Sequence, residues 1–330
     1  MKDKKFVNKI ISKITIITSI TTAVTLIIYG INKIINHVAG KISIHEELTS
    51  IIKLPVEKHS YNWRLGKVNY QISGSGTPLL LLHDLSCESS SDDFLPVVNE
   101  LAKHHKLYVL DLPGCGKSEK QKMSYTNYFY VQFLTDFIEN IIKHKCDVVA
   151  FGNSVSFTLV ACSIKESLFR NIILVNPKSI SSFTMRMRKR DKIKKSIINI
   201  PIYGTLIYHL IFTKQKIKQR ICENNKTNTD KIPYDIYYKN SHENNSHGKY
   251  LYSSQKANFL NVDLTKAIKQ INNSIIILNG EKCEHISTIV NEYLDTNPSI
   301  EVFKISNSGY YPQFENPDEV VDLINIYTES

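Results

Sequence analysis

From about residue 61 onward, short continuous apolar runs alternate with amphipathic stretches. Two alternating stretches around Gly66 predict an antiparallel hairpin. The next run, LLLLH, ends at His83 and predicts a strand buried on both faces, as in a parallel sheet. The alternation predicts an α/β fold, with a mostly parallel sheet of about eight strands joined by right-handed crossovers. Further predicted strands lie near 107–111, 148–151, 172–176, 275–279 and 300–305, and predicted helices near 94–104, 128–142, 157–165, 288–295 and 317–327.

The alternation of strands and helices stops between Pro177 and Asn272, where the chain is basic, tyrosine-rich and helical in pattern. We interpret residues 178–271 as a helical cap inserted into a core formed by 61–177 and 272–330. A cap at this point would cover the carboxyl edge of the sheet, where ligands bind in open α/β folds.

The N-terminal pattern is different. Residues 14–32, ITIITSITTAVTLIIYGIN, contain no charge, and five lysines precede them. The run has the length that a helix needs to cross a bilayer, so residues 1–60 are interpreted as a single-pass anchor and linker. The positive-inside rule then leaves the N-terminus in the cytoplasm and the globular part on the extracytoplasmic side. A cleaved signal peptide and an interfacial amphipathic helix are the alternatives, and no A-x-A cleavage site closely follows the run.

Composition changes this picture in two ways. The 330 residues suffice for one large core, and the net charge of +10 favours an anionic neighbour. A basic run at 186–195 precedes the apolar stretch SIINIPIYGTLIYHLIF, a combination that suits membrane lipid, although a solvated surface is the alternative. Nucleic acid is not expected, because aromatic residues are not interleaved with the basic ones. The six scattered cysteines predict free, mostly buried thiols.

One stretch carries candidate chemistry. DVVAFGNSVSFTLVA predicts a strand, a turn and a helix, with Gly152-Asn153-Ser154-Val155-Ser156 close to G-x-S-x-G. In that motif a sharp turn lifts a serine hydroxyl clear of the sheet, beside the positive end of a helix. The pattern predicts Ser154 as the nucleophile.

Together with this motif, other stretches make the chain resemble the α/β-hydrolase family over 61–177 and 272–330. LLLLHDLSCESS matches the family's strand ending in His-Gly, with His83 in place and Asp84 instead of glycine. VLDLPGCGKSE matches D-x-P-G-x-G-x-S. The resemblance implies a serine esterase or lipase-like hydrolase without cofactor or metal, with an oxyanion hole formed by the N–H groups of Leu85 and Val155.

The remaining two triad positions depart from the family. Cys283 stands where the resemblance implies aspartate, and Tyr310 stands where it implies histidine. Tyrosine, with a pKa near 10, is neutral at pH 7 and cannot take a proton from serine. Loss of the serine or the histidine from a working triad costs roughly a million-fold in rate. His285 is an alternative base, beside Glu281 and Glu284, whereas His83 is expected to be structural.

Two further motifs are rejected on their spacing. LPGCGKSEK lacks the first glycine of a phosphate-binding loop and precedes a polar loop instead of a helix. HENNSH is one residue too long for the zinc motif H-E-x-x-H.

The sequence therefore predicts a membrane-tethered pseudoenzyme of this fold that binds an apolar or acyl ligand or an unidentified protein partner. The alternative is an active ester hydrolase that uses Ser154 with His285. A purely structural protein of the membrane surface is a third interpretation.

Overall fold

A computed structural model describes residues 2–42, 56–224 and 231–328. Its centre is an eight-stranded sheet of order β1-β2-β4-β3-β5-β6-β7-β8, in which β1 and β2 are antiparallel and the other strands run parallel. The predicted α/β sheet is confirmed. The strands are β1 (Glu57–Trp63), β2 (Gly66–Ser73), β3 (Thr77–Leu82), β4 (His105–Leu110), β5 (Cys146–Phe151), β6 (Phe169–Val175), β7 (Ile275–Gly280) and β8 (Glu301–Ile305).

The α-helices that the structure describes precede, connect and follow these strands. They are α1 (Lys2–Gly40), α2 (Val98–Leu101), α3 (Asn127–Phe137), α4 (Ser154–Ile164), α5 (Ile180–Phe183), α6 (Lys189–Asn199), α7 (Tyr203–Ile211), α8 (Lys214–Asn224), α9 (Tyr234–Ser246), α10 (Gly248–Lys256), α11 (Thr265–Gln270), α12 (Ile286–Thr296), α13 (Pro312–Glu315) and α14 (Pro317–Thr328).

The sheet is covered on both faces, which explains the continuous apolar runs of its middle strands. Every residue of β5 and β7 is buried. One face packs against α3 and α4 through Phe133, Phe137 and Phe157, and the opposite face packs against α2 and α14 through Leu101 and Ile324. Strands of a parallel sheet need no polar face under these conditions.

Helices α5–α11 lie between β6 and β7 in the chain, where the sequence predicts a helical insertion. Residues 225–230 of that predicted insertion, and 43–55 of the predicted linker, lie outside the described residues. Several of these helices border the carboxyl edge of the sheet, so they enclose the space above the strand ends.

The N-terminal helix is longer than the predicted span of 14–32. α1 runs over 39 residues, and its segment Phe6–Gly40 contains an 18-residue stretch with a mean hydropathy of 2.0, so the helix is long and apolar enough to cross a membrane. Side chains of its first half, such as Ile10 and Ile17, are exposed, whereas Asn32 and Ala39 are buried against α7 and α9. Helix α1 thus has a free first half and a second half that packs on the protein body.

Candidate functional site

The carboxyl ends of the parallel strands open into a cavity of about 850 Å³. Its floor includes Asp84 after β3, Asn153 after β5 and Asn176 after β6, while Tyr310 follows β8. Its outer wall comes from the inserted helices, from which Phe212, Arg220, Tyr252 and Leu260 face the space. A cavity at this edge, with apolar and polar walls, has the features of a small-molecule site.

The turn after β5 lies at Gly152 and Asn153. Strand pairing continues through Phe151, and the Gly152 N–H then donates to Val175 O at 3.0 Å. Gly152 adopts the left-handed φ of 53°, a conformation that favours glycine. Helix α4 begins two residues after Gly152, at Ser154. The sharp strand-to-helix turn is therefore two residues earlier in the chain than the sequence predicts.

Ser154 consequently occupies the first turn of α4. Its side chain is fully buried, and its hydroxyl donates to the main-chain oxygen of His83 at 2.6 Å. Within the described lining of the cavity, Asn153 and Ser156 are present and Ser154 is not. The geometry argues against Ser154 as an exposed nucleophile, because its hydroxyl ties α4 to the end of β3.

The space over the Gly152 turn is already filled. A Cβ placed on Gly152 would lie 2.6 Å from Asp84 Oδ1 and 2.7 Å from the Tyr310 hydroxyl. Both distances are below the closest normal contact of such atoms. A side chain at this turn therefore requires Asp84 and Tyr310 to move.

Asp84 places its carboxylate on the start of α4. Its Oδ1 accepts hydrogen bonds from the Asn153 main-chain N–H at 2.7 Å and from Asn153 Nδ2 at 2.8 Å. N–H groups at the start of a helix lack helical partners and attract negative charge. In an α/β-hydrolase site, the N–H that follows the turn residue belongs to the oxyanion hole. Here a carboxylate of the same chain occupies that donor.

Tyr310 completes this arrangement from the loop after β8. Its hydroxyl donates to Asp84 Oδ2 at 3.2 Å. Burial, followed by the negative charge of Asp84, raises the pKa of Tyr310 well above its usual value. The loop is held by Glu315, whose carboxylate accepts the Gly309 N–H at 2.7 Å. Tyr310 is thus a neutral hydrogen-bond donor and not a base.

At the predicted acid position, the Cys283 thiol lies 3.5 Å from Asn176 Oδ1. Burial raises the pKa of Cys283 to about 12, so it stays a thiol at neutral pH. Asn176 itself connects three strand ends: its Oδ1 accepts the Gly280 N–H, and its Nδ2 donates to the carbonyl oxygens of Gly309 and Tyr310. This amide fixes the loops where the family places its acid and base.

The two candidate histidines lie elsewhere. His285 is exposed and precedes α12 in a left-handed conformation, and the described residues that line the cavity do not include it. The His83 ring is fully buried, with Nδ1 2.7 Å from Asp84 O and Nε2 accepting the Leu112 N–H at 3.0 Å. Its burial lowers the pKa of His83. Since both ring nitrogens are engaged, His83 is structural in this geometry.

Of the two residues predicted to form the oxyanion hole, one lies at the cavity and the other does not. Leu85 lines the cavity, whereas Val155 is fully buried in the first turn of α4. Asp111, from the D-x-P-G-x-G-x-S turn, accepts the N–H groups of Ser91 and Lys117, so that motif is structural. Sequence reasoning missed the contacts of Asp84 and Asn176. The replacement of the family's glycine by Asp84 was the available signal for the first.

Solved structures resemble this fold at low sequence identity. Carboxylesterase CesB of Bacillus subtilis superposes with a TM-score of 0.64 at 14% identity, covering 86% of this chain and 94% of its own. A serine hydrolase of carbazole degradation, CarC, gives 0.68 at 15% identity, over 83% of this chain and 98% of its own. A membrane phospholipase A described as a bacterial virulence factor superposes with a TM-score of 0.66 at 14% identity, covering 98% of this chain and 97% of its own. These likenesses show the α/β-hydrolase fold.

A curated relative is similar over a shorter segment. The 2-hydroxy-6-oxo-6-(2'-aminophenyl)hexa-2,4-dienoic acid hydrolase of Metapseudomonas resinovorans is 30% identical over 91 residues. That segment spans 27% of this chain and 31% of the relative. The model of the Ndr family, in contrast, matches residues 58–329, which include β2 to β8 and all of β1 except Glu57. The chain therefore belongs to the Ndr family, on an α/β-hydrolase fold.

Proposed function

We propose that this protein is a membrane-tethered, non-hydrolytic member of its family that binds an apolar or acyl ligand in the cavity above the sheet. The observation that carries this proposal is the Asp84 carboxylate on the Asn153 N–H, directly beside Gly152. A site of this form holds a negative charge where ester hydrolysis would need to stabilise one.

The position of the nucleophile supports the same conclusion. A nucleophile at an elbow stands on the sharp turn itself, and we assign that position to Gly152, which has no side chain. Ser154 is buried in α4, and its hydroxyl is donated to a carbonyl oxygen. Tyr310 and Cys283, at the base and acid positions, are both held in their neutral forms by raised pKa values.

The cavity walls suit a ligand with an apolar body and a polar end. Phe183, Leu260 and Ile289 provide apolar surface, while Lys256 and Glu223 are among the charged residues of both signs that line the same space. Apolar walls with a few placed charges are typical of sites for amphipathic small molecules. An acyl chain with a polar headgroup has this chemistry.

The tether is the apolar segment of α1. Its length and mean hydropathy suffice for one membrane crossing, and the lysines that precede the apolar run favour a cytoplasmic N-terminus. On this basis we propose that the body lies on the extracytoplasmic side. A membrane-impermeant maleimide should then label exposed Cys222 in intact cells, and Cys222→Ser should abolish that labelling. Labelling of Cys222 only after lysis would place the body in the cytoplasm.

Covalent labelling tests the loss of hydrolysis. Purified full-length protein should show no labelling by a fluorophosphonate, and hydrolysis of short and long p-nitrophenyl esters should equal that of Ser154→Ala. Labelling that disappears in both Ser154→Ala and His285→Ala would instead establish the active ester hydrolase.

Ligand binding tests the positive half of the proposal. A fluorescent long-chain fatty acid should bind the wild-type protein, and Ser182→Trp, which fills the cavity wall, should weaken binding at least about tenfold. Ser299→Trp is the matched control, because Ser299 is exposed and outside the cavity lining. Equal binding by both variants, or none by the wild type, would reject the cavity as an acyl site.

A further inference from the structure

The junction between α1 and the inserted helices fixes how the body sits at the end of α1. The Thr25 and Tyr203 hydroxyls are 2.5 Å apart, and Asn32 Nδ2 donates to Ile202 O at 2.8 Å. One turn later, Asn36 Oδ1 accepts the Ser246 hydroxyl at 2.7 Å. The start of α7 is therefore bonded directly to the point where α1 joins the body.

This junction lies one membrane thickness from the start of the apolar segment. From Ile14, where the charge-free run begins, to Asn32 a helix rises about 27 Å, close to the roughly 30 Å of a hydrocarbon core. If α1 crosses a bilayer there, Asn32 lies at the boundary between lipid and water, and Tyr203 lies next to that boundary in the leaflet on the side of the body. Tyrosine is enriched at that depth in membrane proteins. Tyr203 is 41% exposed and available to the headgroups.

The surface beside Tyr203 combines exposed apolar and basic side chains. We call residues 185–203, which include α6, the basic face. Its exposed apolar members are Met185, Met187, Ile193, Ile197, Ile200 and Tyr203. Its exposed basic members are Arg186, Arg188, Lys189, Arg190, Lys192 and Lys194.

We propose that the basic face docks on the anionic headgroups of the bilayer that α1 crosses, with its apolar side chains in the outer part of that leaflet. The proposal rests on the tether described above. Its argument is continuity, because the face begins at the α1 junction, together with charge complementarity to anionic lipid. A basic, apolar-faced helix next to a membrane binds by these two contributions.

Docking would also bring the cavity to the lipid. Met185 is 55% exposed at one end of the basic face, and it lines the cavity together with Ser182 and Phe183 of α5. Asn261 Nδ2 holds this segment by donating to the carbonyl oxygens of Ser182 and Met185. The wall of the cavity next to α5 thus continues into the docked surface, which favours an acyl ligand taken from the leaflet.

Tryptophan quenching by brominated lipid tests the docking in full-length protein reconstituted into vesicles. Native Trp63 is buried and gives a constant background. Three single variants are compared: Ile17→Trp in α1, Ile197→Trp on the basic face, and Ile326→Trp in α14 as an exposed control on the body. We expect Ile17→Trp and Ile197→Trp to be quenched at least about threefold more than Ile326→Trp in vesicles with about 30% phosphatidylglycerol.

Charge dependence gives the second arm. Replacing Lys189, Arg190, Lys192 and Lys194 by glutamine should reduce quenching of Ile197→Trp at least about twofold, whereas the same change at Lys143, Lys145, Lys269 and Lys304 should not. Quenching of Ile17→Trp without quenching of Ile197→Trp would overturn the docking and leave the tether standing. Absence of quenching at both sites would overturn both proposals. Equal quenching of Ile197→Trp in purely zwitterionic vesicles would overturn the preference for anionic lipid.

Discussion

Replacing Gly152 by alanine should destabilise the protein by about 2.5–4 kcal/mol. About 1 kcal/mol comes from holding an L-residue in the left-handed region. The rest arises because the new Cβ would lie 2.6 Å from Asp84 Oδ1, which must leave the Asn153 N–H. A hydrogen bond to a charged group contributes about 1.5–3 kcal/mol to stability.

A double-mutant cycle separates these two contributions. In Asp84→Gly the carboxylate is absent and the Tyr310 hydroxyl loses the acceptor that holds it over the turn. Alanine at position 152 should then cost only about 1 kcal/mol, which gives a coupling of about 1.5–3 kcal/mol. Unfolding by urea, followed through the fluorescence of buried Trp63, measures each free energy by linear extrapolation.

Two results would refute this reasoning. A neutral Gly152→Ala would show that the turn does not hold residue 152 in the left-handed region. An equal loss of stability in both backgrounds would show that Asp84 does not occupy the space over the turn, which would remove the main support for the non-hydrolytic proposal.

Three further predictions follow from the site and its supports. Tyr310→His alone should give no hydrolysis of p-nitrophenyl esters above background, because Cys283 remains a thiol and the Asp84 carboxylate remains on the Asn153 N–H. Turnover in that single variant would contradict this description of the site. Burial, then positive charge on neighbouring His242 and Lys249, lowers the pKa of His209 to about 3. The free energy of unfolding should therefore decrease as the pH drops below about 6.5, by about 2 kcal/mol between pH 7 and pH 5. Urea unfolding at both pH values should show a flatter dependence in His209→Gln. Asp147→Ala should lower the free energy of unfolding by about 3–5 kcal/mol, because Arg170 and the Asn171 N–H would lose a fully buried partner. Asp263→Ala, at an exposed position, should lower it by less than about 1 kcal/mol in the same assay.

The sign of the His209 prediction follows from its surroundings. The ring is buried between α7 and α9, where its Nε2 lies 2.8 Å from the Ser246 hydroxyl and 3.1 Å from Asn36 Oδ1 of α1. The folded protein therefore favours the neutral ring. This contribution is complete above the unfolded value of about 6.5 and is lost as the pH falls towards 3.

The elbow shows how far sequence reasoning reaches. Small residues spaced two apart occur in two registers, Ala150-x-Gly152-x-Ser154 and Gly152-x-Ser154-x-Ser156. Serine at the centre of the second register made it the natural prediction. The choice between registers depends on where β5 stops pairing with β6, and the Gly152 bond to Val175 decides it.

Local pattern was sufficient to determine the apolar N-terminal helix and the order of strands and helices, because burial on two faces dictates long apolar runs and a buried helix face dictates helix periodicity. The resemblance to the α/β-hydrolase family came from the motifs around Ser154, His83 and Asp111. The resemblance to the α/β-hydrolase family also predicts that Cys283 and Tyr310 replace the acid and the base. Tertiary structure alone decided that Asp84 covers the Asn153 N–H, that Ser154 points into the core and that α7 is bonded to α1. These contacts join residues 69 to 178 positions apart in the chain, and such distant contacts leave no periodic signal in the sequence.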